Sequence, residues 1–192
     1  MKSKTIGVLA LQGCVSPHQM HIEALGCQFL EVRSKEDFQE VDGLILPGGE
    51  STTMLKLLHV LQLEETLLGT CNRVPVWGIC AGAILIAKKV LGPEQKSFAL
   101  IDASVERNAF GRQLESFHDT VAGYAVSFIR APKVLSVGDG VKVLAEKEGS
   151  PTWIQSGFRM LTTFHPELNS QAPSPMHRFF LEMILKKSRG EI

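Results

Sequence analysis

The chain has 192 residues, 44% of them hydrophobic, and its 20 lysines and arginines balance its 20 aspartates and glutamates. A chain of this length can bury the core of one domain without metal or disulfide staples, so we expect residues 1–192 to form a single domain. Because the charges are scattered and cancel, they exclude an electrostatic surface for nucleic acid or for a membrane.

The cysteines and the amino terminus indicate the compartment. Four cysteines are too few for a disulfide scaffold in a chain of this size. The first apolar run is too short to span a membrane and carries no signal-peptide cleavage pattern. We therefore expect a cytoplasmic protein with free thiols.

The first half of the chain alternates short apolar runs with amphipathic segments. Continuous Val/Ile/Leu runs of strand length, separated by helices, are typical of a parallel sheet that is buried on both faces. The predicted strands are Thr5–Leu11, Gln28–Val32, Gly43–Leu46 and Val74–Trp77, and the predicted helices are Pro17–Leu25, Thr52–Leu61 and Leu63–Gly69.

The second half has a different pattern. After a predicted helix over Ala83–Val90, turn residues separate several short runs of strand type, which favours a largely antiparallel extension of the sheet. These strands are predicted near Ala99–Arg107, Gly123–Arg130, Lys142–Glu146, Pro151–Gln155 and Met160–Phe164. Pro175–Lys187 is predicted to close the α/β fold as an amphipathic helix.

Cys80 lies in a Gly-x-Cys-x-Gly frame, Gly78 to Gly82, between an apolar strand and a helix-forming run. Two glycines allow a tight turn from strand to helix that exposes the cysteine side chain at the carboxyl end of the sheet. The start of the helix, where the amide of Ala81 lies, favours negative charge on the sulfur. The alternative is a buried structural cysteine, but the flanking glycines favour a nucleophile.

A cysteine nucleophile needs a base and a group that orients it. His165, Pro166 and Glu167 follow the last predicted strand. Residues i and i+2 of an extended chain point the same way, and a proline favours extended backbone at the residue before it. We therefore expect the Glu167 carboxylate to lie beside the His165 imidazole.

Attack on a carbonyl also needs donors for the developing oxyanion. The amide of Ala81 is one candidate, and the Gly48-Gly49 pair can supply the second because a backbone without side chains approaches a substrate closely. Gly48-Gly49 also fits a simple strand-to-helix turn capped by Ser51 or Thr52. The loop has no lysine of the phosphate-binding type, so nucleotide binding there is not expected.

Two arginines are candidates for binding a carboxylate, Arg107 and Arg130. Each could equally be a surface residue. A metal site built from Cys14, His18, His21 and Cys27 has mixed spacings that do not form a zinc pattern, so no metal and no cofactor are expected.

The assembled residues resemble the glutaminase subunits of pyridoxal 5′-phosphate synthase, a family of class I (triad) glutamine amidotransferases. A cysteine in a glycine elbow with a downstream His-Pro-Glu is general to the class, and the resemblance covers nearly the whole chain. Departures from the family's pattern lie at Cys14–His18, which bears on docking, and at Ile79. The matching stretches are Gly7–Gly13, Leu46–Thr53, Gly78–Gly82, Arg107–Gln113, Phe128–Pro132 and Phe164–Leu168.

The resemblance implies a three-layer, flavodoxin-like fold and a glutaminase that releases ammonia through a thioester. It implies a triad of Cys80, His165 and Glu167, with the oxyanion between the amides of Gly49 and Ala81. It further implies that a (β/α)8-barrel synthase subunit docks near Gln12 in a large hetero-oligomer and receives the ammonia. The residues implied to hold L-glutamine are Gly49, Glu50, Ser51, Arg107, Ile129 and Arg130.

Two other functions fit part of the pattern. A cysteine hydrolase or peptidase-like enzyme could use the same fold, although such relatives tend to lack the His-Pro-Glu. A catalytically silent regulatory subunit could bind the synthase alone, although all three triad residue types are present.

Overall fold

The computed structural model describes residues 3–107 and 116–192. Within these residues the strands are β1 (Thr5–Leu9), β2 (Gln28–Val32), β3 (Gly43–Leu46), β4 (Val76–Ile79), β5 (Ala87–Leu91), β6 (Ile101–Glu106), β7 (Phe117–Val121), β8 (Tyr124–Phe128), β9 (Lys133–Val137), β10 (Lys142–Lys147), β11 (Ser150–Ser156) and β12 (Arg159–Thr162). The α-helices there are α1 (Pro17–Glu23), α2 (Ser51–Val60), α3 (Glu64–Arg73), α4 (Ala81–Ile86) and α5 (Pro175–Ser188).

The central sheet of the described residues has the strand order β10-β11-β12-β4-β3-β1-β2. Strands β2, β1, β3, β4 and β12 are parallel, whereas β10 and β11 add an antiparallel edge. The predicted α/β fold, with a mostly parallel sheet, an antiparallel extension and helices on both faces, is confirmed.

Alternating strand residues divide the core into two halves. Leu44 and Leu46 of β3 face a cluster with α2, α3 and α4, whereas Ile45 faces a second cluster with α1 and α5. In α5, Met176, Phe180 and Ile184 lie on the buried side at helical spacing. Each face of the sheet is therefore covered by helices, as the continuous apolar strands require.

One predicted helix is half wrong. The segment Ala83–Val90 contains the end of α4, which stops at Ile86, and most of β5, which pairs in parallel with β6. Within β5, Ala87 and Val90 are buried and the two lysines between them are exposed. A short apolar run followed by Lys-Lys does not distinguish helix from strand, and the pairing with β6 decides the outcome.

The antiparallel extension is smaller than predicted. Of the strands in the second half, β10 and β11 extend the central sheet, and β12 joins it in parallel to β4. The strands predicted at Ala99–Arg107 and Gly123–Arg130 instead form separate sheets, β5-β6-β9 and β7-β8. The sequence patterns do not predict strands β7 and β9. No helix of the described residues combines the length and the apolar character needed to cross a bilayer.

Candidate active site

Cys80 occupies a strained turn between β4 and α4. Its φ of 48° lies in the left-handed region, which costs a non-glycine residue roughly 1–3 kcal/mol. The turn is held because the Cys80 amide donates to the carbonyl of Thr162 at 2.9 Å. A Cβ at Gly82 would overlap the Leu46 carbonyl, and one at Gly78 would overlap the Gly82 carbonyl. The glycine frame therefore allows the close packing that presents the sulfur at the strand ends.

His165 and Glu167 are directly paired. The Nδ1 atom of His165 lies 2.6 Å from Oε1 of Glu167, and both residues are buried. His165 is fixed by a bridge to β8, in which its amide donates to the Ser127 carbonyl at 2.8 Å. The sequence predicts this pairing from an extended backbone, but only His165 is extended. A 3-10 turn over Pro166–Leu168 brings Glu167 beside the ring.

The electrostatics of the pair favour a protonated imidazole beside a carboxylate. Burial lowers the pKa of His165, but hydrogen bonding to Cys80 and Glu167 outweighs it and raises the pKa to about 10. Burial raises the pKa of Glu167. The hydrogen bond with His165 and the electrostatic attraction of His18 and His165 lower it by more, so the pKa of Glu167 lies below its usual value. At neutral pH, His165 can therefore hold a proton between the sulfur and the carboxylate.

The Gly48-Gly49 loop packs against the imidazole. A Cβ at Gly48 would overlap the His165 ring, and one at Gly49 would meet the Gln12 side chain. The loop after β1 holds this turn in place, because the Cys14 amide donates to the Gly48 carbonyl at 2.9 Å. The Glu50 amide likewise donates to Oε1 of Gln12 at 2.8 Å. Gln12 is thus linked to the turn that opens α2.

A small pocket brings the predicted binding residues together around the sulfur. The Nη2 atom of Arg107 lies 3.5 Å from Oε1 of Glu50, which also lines the pocket. The Cys80 thiol donates to the Ile129 carbonyl, with 3.8 Å between sulfur and oxygen. Arg130 has a positive φ of 44°, so the backbone is strained beside the sulfur as well. The pocket is lined by Gly49, Glu50, Ser51, Cys80, Ala81, Ile84, Arg107, Ile129, Arg130 and Pro132.

Three contacts of this region were not predicted. Ile84 and Pro132 line the pocket, and the Ser51 hydroxyl donates to Oε1 of Gln95 at 2.9 Å. Pro132 could have been found from its place in the Phe-Ile-Arg-Ala-Pro stretch, whereas nothing in the sequence marks Gln95. The motif residues Asn108–Gln113 lie outside the described residues.

The histidines considered for a metal site have other partners. His18 lies 2.9 Å from His177, and His21 accepts a hydrogen bond from the Ser174 amide at 3.1 Å. Cys27 belongs to the second core cluster. Within residues 3–107 and 116–192, no three or more His, Cys, Asp or Glu side chains are grouped to hold a metal ion.

Comparison with known proteins identifies close relatives. The model of the SNO glutamine amidotransferase family matches residues 8–186. The pyridoxal 5′-phosphate synthase subunit PdxT of Brevibacillus brevis is 43% identical over 187 residues, which cover 93% of this chain and 96% of that protein. The PdxT subunit of Solibacter usitatus is 45% identical over 193 residues, which cover 94% of this chain and 100% of that protein.

Solved structures agree with these matches. A crystal structure of a glutamine amidotransferase has a TM-score of 0.84 at 42% identity, covering 93% of this chain and 98% of that chain. The structure of PurLQS from Thermotoga maritima has a TM-score of 0.61 at 14% identity, covering 98% of this chain and 100% of that chain, and shows the fold alone. The resemblance predicted from the sequence motifs is confirmed.

Proposed function

Because the chain belongs to the SNO glutamine amidotransferase family, we propose that it hydrolyses L-glutamine to L-glutamate and ammonia as the glutaminase subunit of pyridoxal 5′-phosphate synthase. One observation carries the chemistry. Cys80, on a strained turn, shares a pocket with Arg107 and Arg130, and His165 of the buried His165–Glu167 pair is hydrogen-bonded to it. Residues 1–192 would act as one glutaminase domain.

The reaction would proceed through a covalent intermediate. His165 takes the proton of the Cys80 thiol, the sulfur attacks the side-chain amide carbon of glutamine, and the amides of Gly49 and Ala81 donate to the oxyanion. His165 protonates the departing nitrogen, so that the carbon–nitrogen bond breaks and a thioester and ammonia form. His165 then takes a proton from water, and the resulting hydroxide attacks the thioester. The carbon–sulfur bond breaks, His165 returns its proton to the Cys80 sulfur, and glutamate leaves. Glu167 orients His165 throughout.

The pocket has the charges to hold an amino acid. A free amino acid carries one carboxylate and one ammonium group, and the pocket presents two arginines and the carboxylate of Glu50. Arg107 and Arg130 would bind the carboxylate, and Glu50 the ammonium. The Nη2 atom of Arg107 also lies 3.5 Å from Oε1 of Glu50, so the two opposite charges are neighbours. Gly49, Ser51 and Ile129 also line this pocket beside the charged side chains, which supports a small polar substrate.

The ammonia would pass to a (β/α)8-barrel synthase subunit within a large hetero-oligomer. The relatives named PdxT are subunits of pyridoxal 5′-phosphate synthase. Gln12 would transmit docking to the active site, because its side chain accepts a hydrogen bond from the Glu50 amide, next to the Gly49 amide of the oxyanion site. The barrel would bind the sugar phosphates, which fits a chain without a phosphate-binding loop.

The test is glutamate release from glutamine by the purified chain, alone and with the barrel subunit from the same organism. We expect the partner to stimulate release, and we expect Cys80→Ala to abolish it while still binding the partner. Cys27→Ala is the matched control and should retain most activity, because the Cys27 thiol contacts the Leu25 carbonyl and no residue of the site. Absence of glutamate in the wild-type complex, or full activity in Cys80→Ala, would contradict the proposal.

A further inference from the structure

Three buried histidines, here called the histidine cluster, lie behind the triad. His18 and His21 belong to α1 and His177 to α5, and each is at most 1% exposed. The His21 and His177 rings stack with centroids 4.5 Å apart, and Trp77 packs edge-on against His177. The mechanism proposed above uses none of them.

The proton of His21 is fixed by its two partners. Its Nδ1 atom accepts from the Ser174 amide at 3.1 Å, and a backbone amide can only donate. The neutral ring therefore carries its proton on Nε2, which donates to the Glu167 carbonyl at 3.3 Å. Burial lowers the pKa of His21, which keeps the ring neutral. His21 thus ties the backbone of Glu167 to the start of α5.

His177 and His18 form a chain with Ser174. The Ser174 hydroxyl oxygen accepts from the His177 amide at 3.2 Å and lies 2.6 Å from Nδ1 of the same residue. Nε2 of His177 lies 2.9 Å from Nδ1 of His18. With one proton on each neutral ring, the protons can all point from Ser174 toward His18, or all the other way.

The His18 end of this row of hydrogen bonds decides between the two proton arrangements. Within the described residues, neither Nε2 of His18 nor Oε2 of Glu167 has a hydrogen-bond partner, although both atoms are buried. A buried polar atom without a partner costs roughly 1–3 kcal/mol. A carboxylate oxygen can only accept, so a proton on Nε2 of His18 is attracted to it, whereas a lone pair there is repelled.

The groups around Glu167 support the arrangement in which the protons point from Ser174 toward His18. The groups that face its carboxylate are His165 on Oε1, His18 and the Cys14 thiol. Burial and the Glu167 carboxylate raise the pKa of the Cys14 thiol to about 12, so it stays neutral and interacts with the carboxylate as a weak donor that leaves Oε2 without a hydrogen bond of normal geometry. Burial lowers the pKa of His18 to about 4, although the Glu167 carboxylate opposes this shift, and burial also lowers the pKa of His177 well below its usual value. Both rings are therefore neutral near pH 7.

We propose that His18 is a positioning residue for Glu167: its Nε2–H group points toward Oε2, at the end of a chain in which Ser174 donates to His177 and His177 donates to His18. This inference rests on the proposed function, because Glu167 matters through its pairing with His165. The neutral donor keeps Oε1 turned to His165 without placing a second positive charge beside the carboxylate. These hydrogen bonds connect the triad to side chains of both α1 and α5.

The proton positions can be measured in the wild-type chain without any assay of activity. Long-range proton–nitrogen NMR of ¹⁵N-histidine-labelled protein distinguishes the Nδ1–H from the Nε2–H tautomer of each ring. We expect His18, His21 and His177 all to carry the proton on Nε2 near neutral pH. A proton on Nδ1 of His18 would overturn the proposal, whether or not the chain proves to be a glutaminase.

Two polar substitutions separate a positioning role from a structural one. In His18→Gln the amide nitrogen can reach the place of Nε2, whereas in His18→Asn it reaches only the place of Nδ1. With the synthase subunit present, we expect kcat to fall at least about ten-fold in His18→Asn, with KM nearly unchanged, and to recover mostly in His18→Gln. His59→Gln, at a side chain that is 83% exposed, is the matched control.

Equal kcat in the wild type and His18→Asn, or lower kcat in His18→Gln than in His18→Asn, would overturn the proposal. Thermal unfolding of each variant separates a loss of fold from a loss of positioning. If either variant fails to fold, the wild-type tautomers decide. Absence of glutaminase activity in the wild-type complex would count against the proposed function instead, so the two proposals fail by different results.

Discussion

The Nδ1 atom of His165 lies 2.6 Å from Oε1 of Glu167, across a single proline. Both side chains are almost fully removed from solvent, with exposed fractions of 7% and 0%. A hydrogen bond to an ionised partner in such surroundings is about twice as strong as a neutral one. The short turn between the residues therefore builds a rigid base and orienting acid next to Cys80.

Replacing Glu167 by glutamine should keep the shape of the side chain but remove the carboxylate that orients His165. In Glu167→Gln the amide can donate to Nδ1 and so favour the wrong tautomer of His165. We expect kcat for glutamine hydrolysis to fall by roughly 10³- to 10⁴-fold, as for the equivalent change in serine proteases. Steady-state kinetics with the synthase subunit measure this, with Glu31→Gln, at an exposed side chain paired with Arg33, as the control. An unchanged kcat would show that Glu167 does not orient the base.

The contact between Gly48 and His165 predicts a strong effect of one methyl group. A Cβ at Gly48 would overlap the imidazole, so Gly48→Ala should displace the ring and reduce activity by at least about 100-fold. Gly69→Ala is the matched control, since a Cβ there meets nothing within 4 Å in helix α3. That change should raise the unfolding free energy by about 0.5–1 kcal/mol with normal activity. Similar activity in the two variants would contradict the packing argument.

Arg107 should act on substrate binding more than on chemistry. Its side chain is 12% exposed and faces the pocket. Loss of a hydrogen bond to a charged group costs about 1.5–3 kcal/mol, which corresponds to a KM raised about 10- to 100-fold in Arg107→Ala, with a much smaller change in kcat. Arg33→Ala, at a surface ion pair, should change neither constant. A fall in kcat alone would assign Arg107 to the chemical step.

The histidine cluster predicts loss of stability in mild acid. The pKa of His18 is lowered from 6.5 to about 4 in the folded chain, so the unfolded chain binds this proton first as pH falls. The free energy of unfolding should therefore decrease by about 3 kcal/mol between pH 6.5 and pH 4, and the lowered pKa of His177 acts in the same direction. Denaturant unfolding at a series of pH values measures this slope.

The opposite sign applies to His165. Its pKa is raised to about 10 in the folded chain, so its contribution is complete below pH 6.5 and is lost as pH rises toward 10. Stability should thus be greatest near pH 6.5. Glutamine does not titrate, so His18→Gln should lose less unfolding free energy below pH 6.5 and should show an unchanged pH dependence above it. An equally steep acid side in His18→Gln would show that His18 is not buried in its neutral form.

The sequence predicts the parts of this molecule that depend on local patterns. The strands β2 and β3 have their predicted bounds, and the loops that carry Gly49, Cys80 and His165 meet because carboxyl ends of neighbouring parallel strands share one edge of the sheet. The boundary between α4 and β5 depends on pairing with β6, which no local pattern contains.

The histidine cluster could not be predicted for a related reason. His18 and His177 are 159 residues apart in the chain and meet only because α1 and α5 cover the same face of the sheet. In the sequence, His18 and His21 have the i, i+3 spacing of one helix face, which is compatible with a metal site as well as with a buried contact. The unpartnered Oε2 of Glu167 is visible only in the structure.

The most direct test of the central claim is covalent labelling with a diazoketone analogue of L-glutamine in the presence of the synthase subunit. The Cys80 sulfur should form a bond to the diazo-bearing carbon as dinitrogen leaves, and peptide mass spectrometry locates the product. The account predicts one label per chain, on Cys80, with protection by excess glutamine. Labelling on Cys14, Cys27 or Cys71 instead, or no labelling of the wild-type complex, would contradict Cys80 as the nucleophile of a glutamine site.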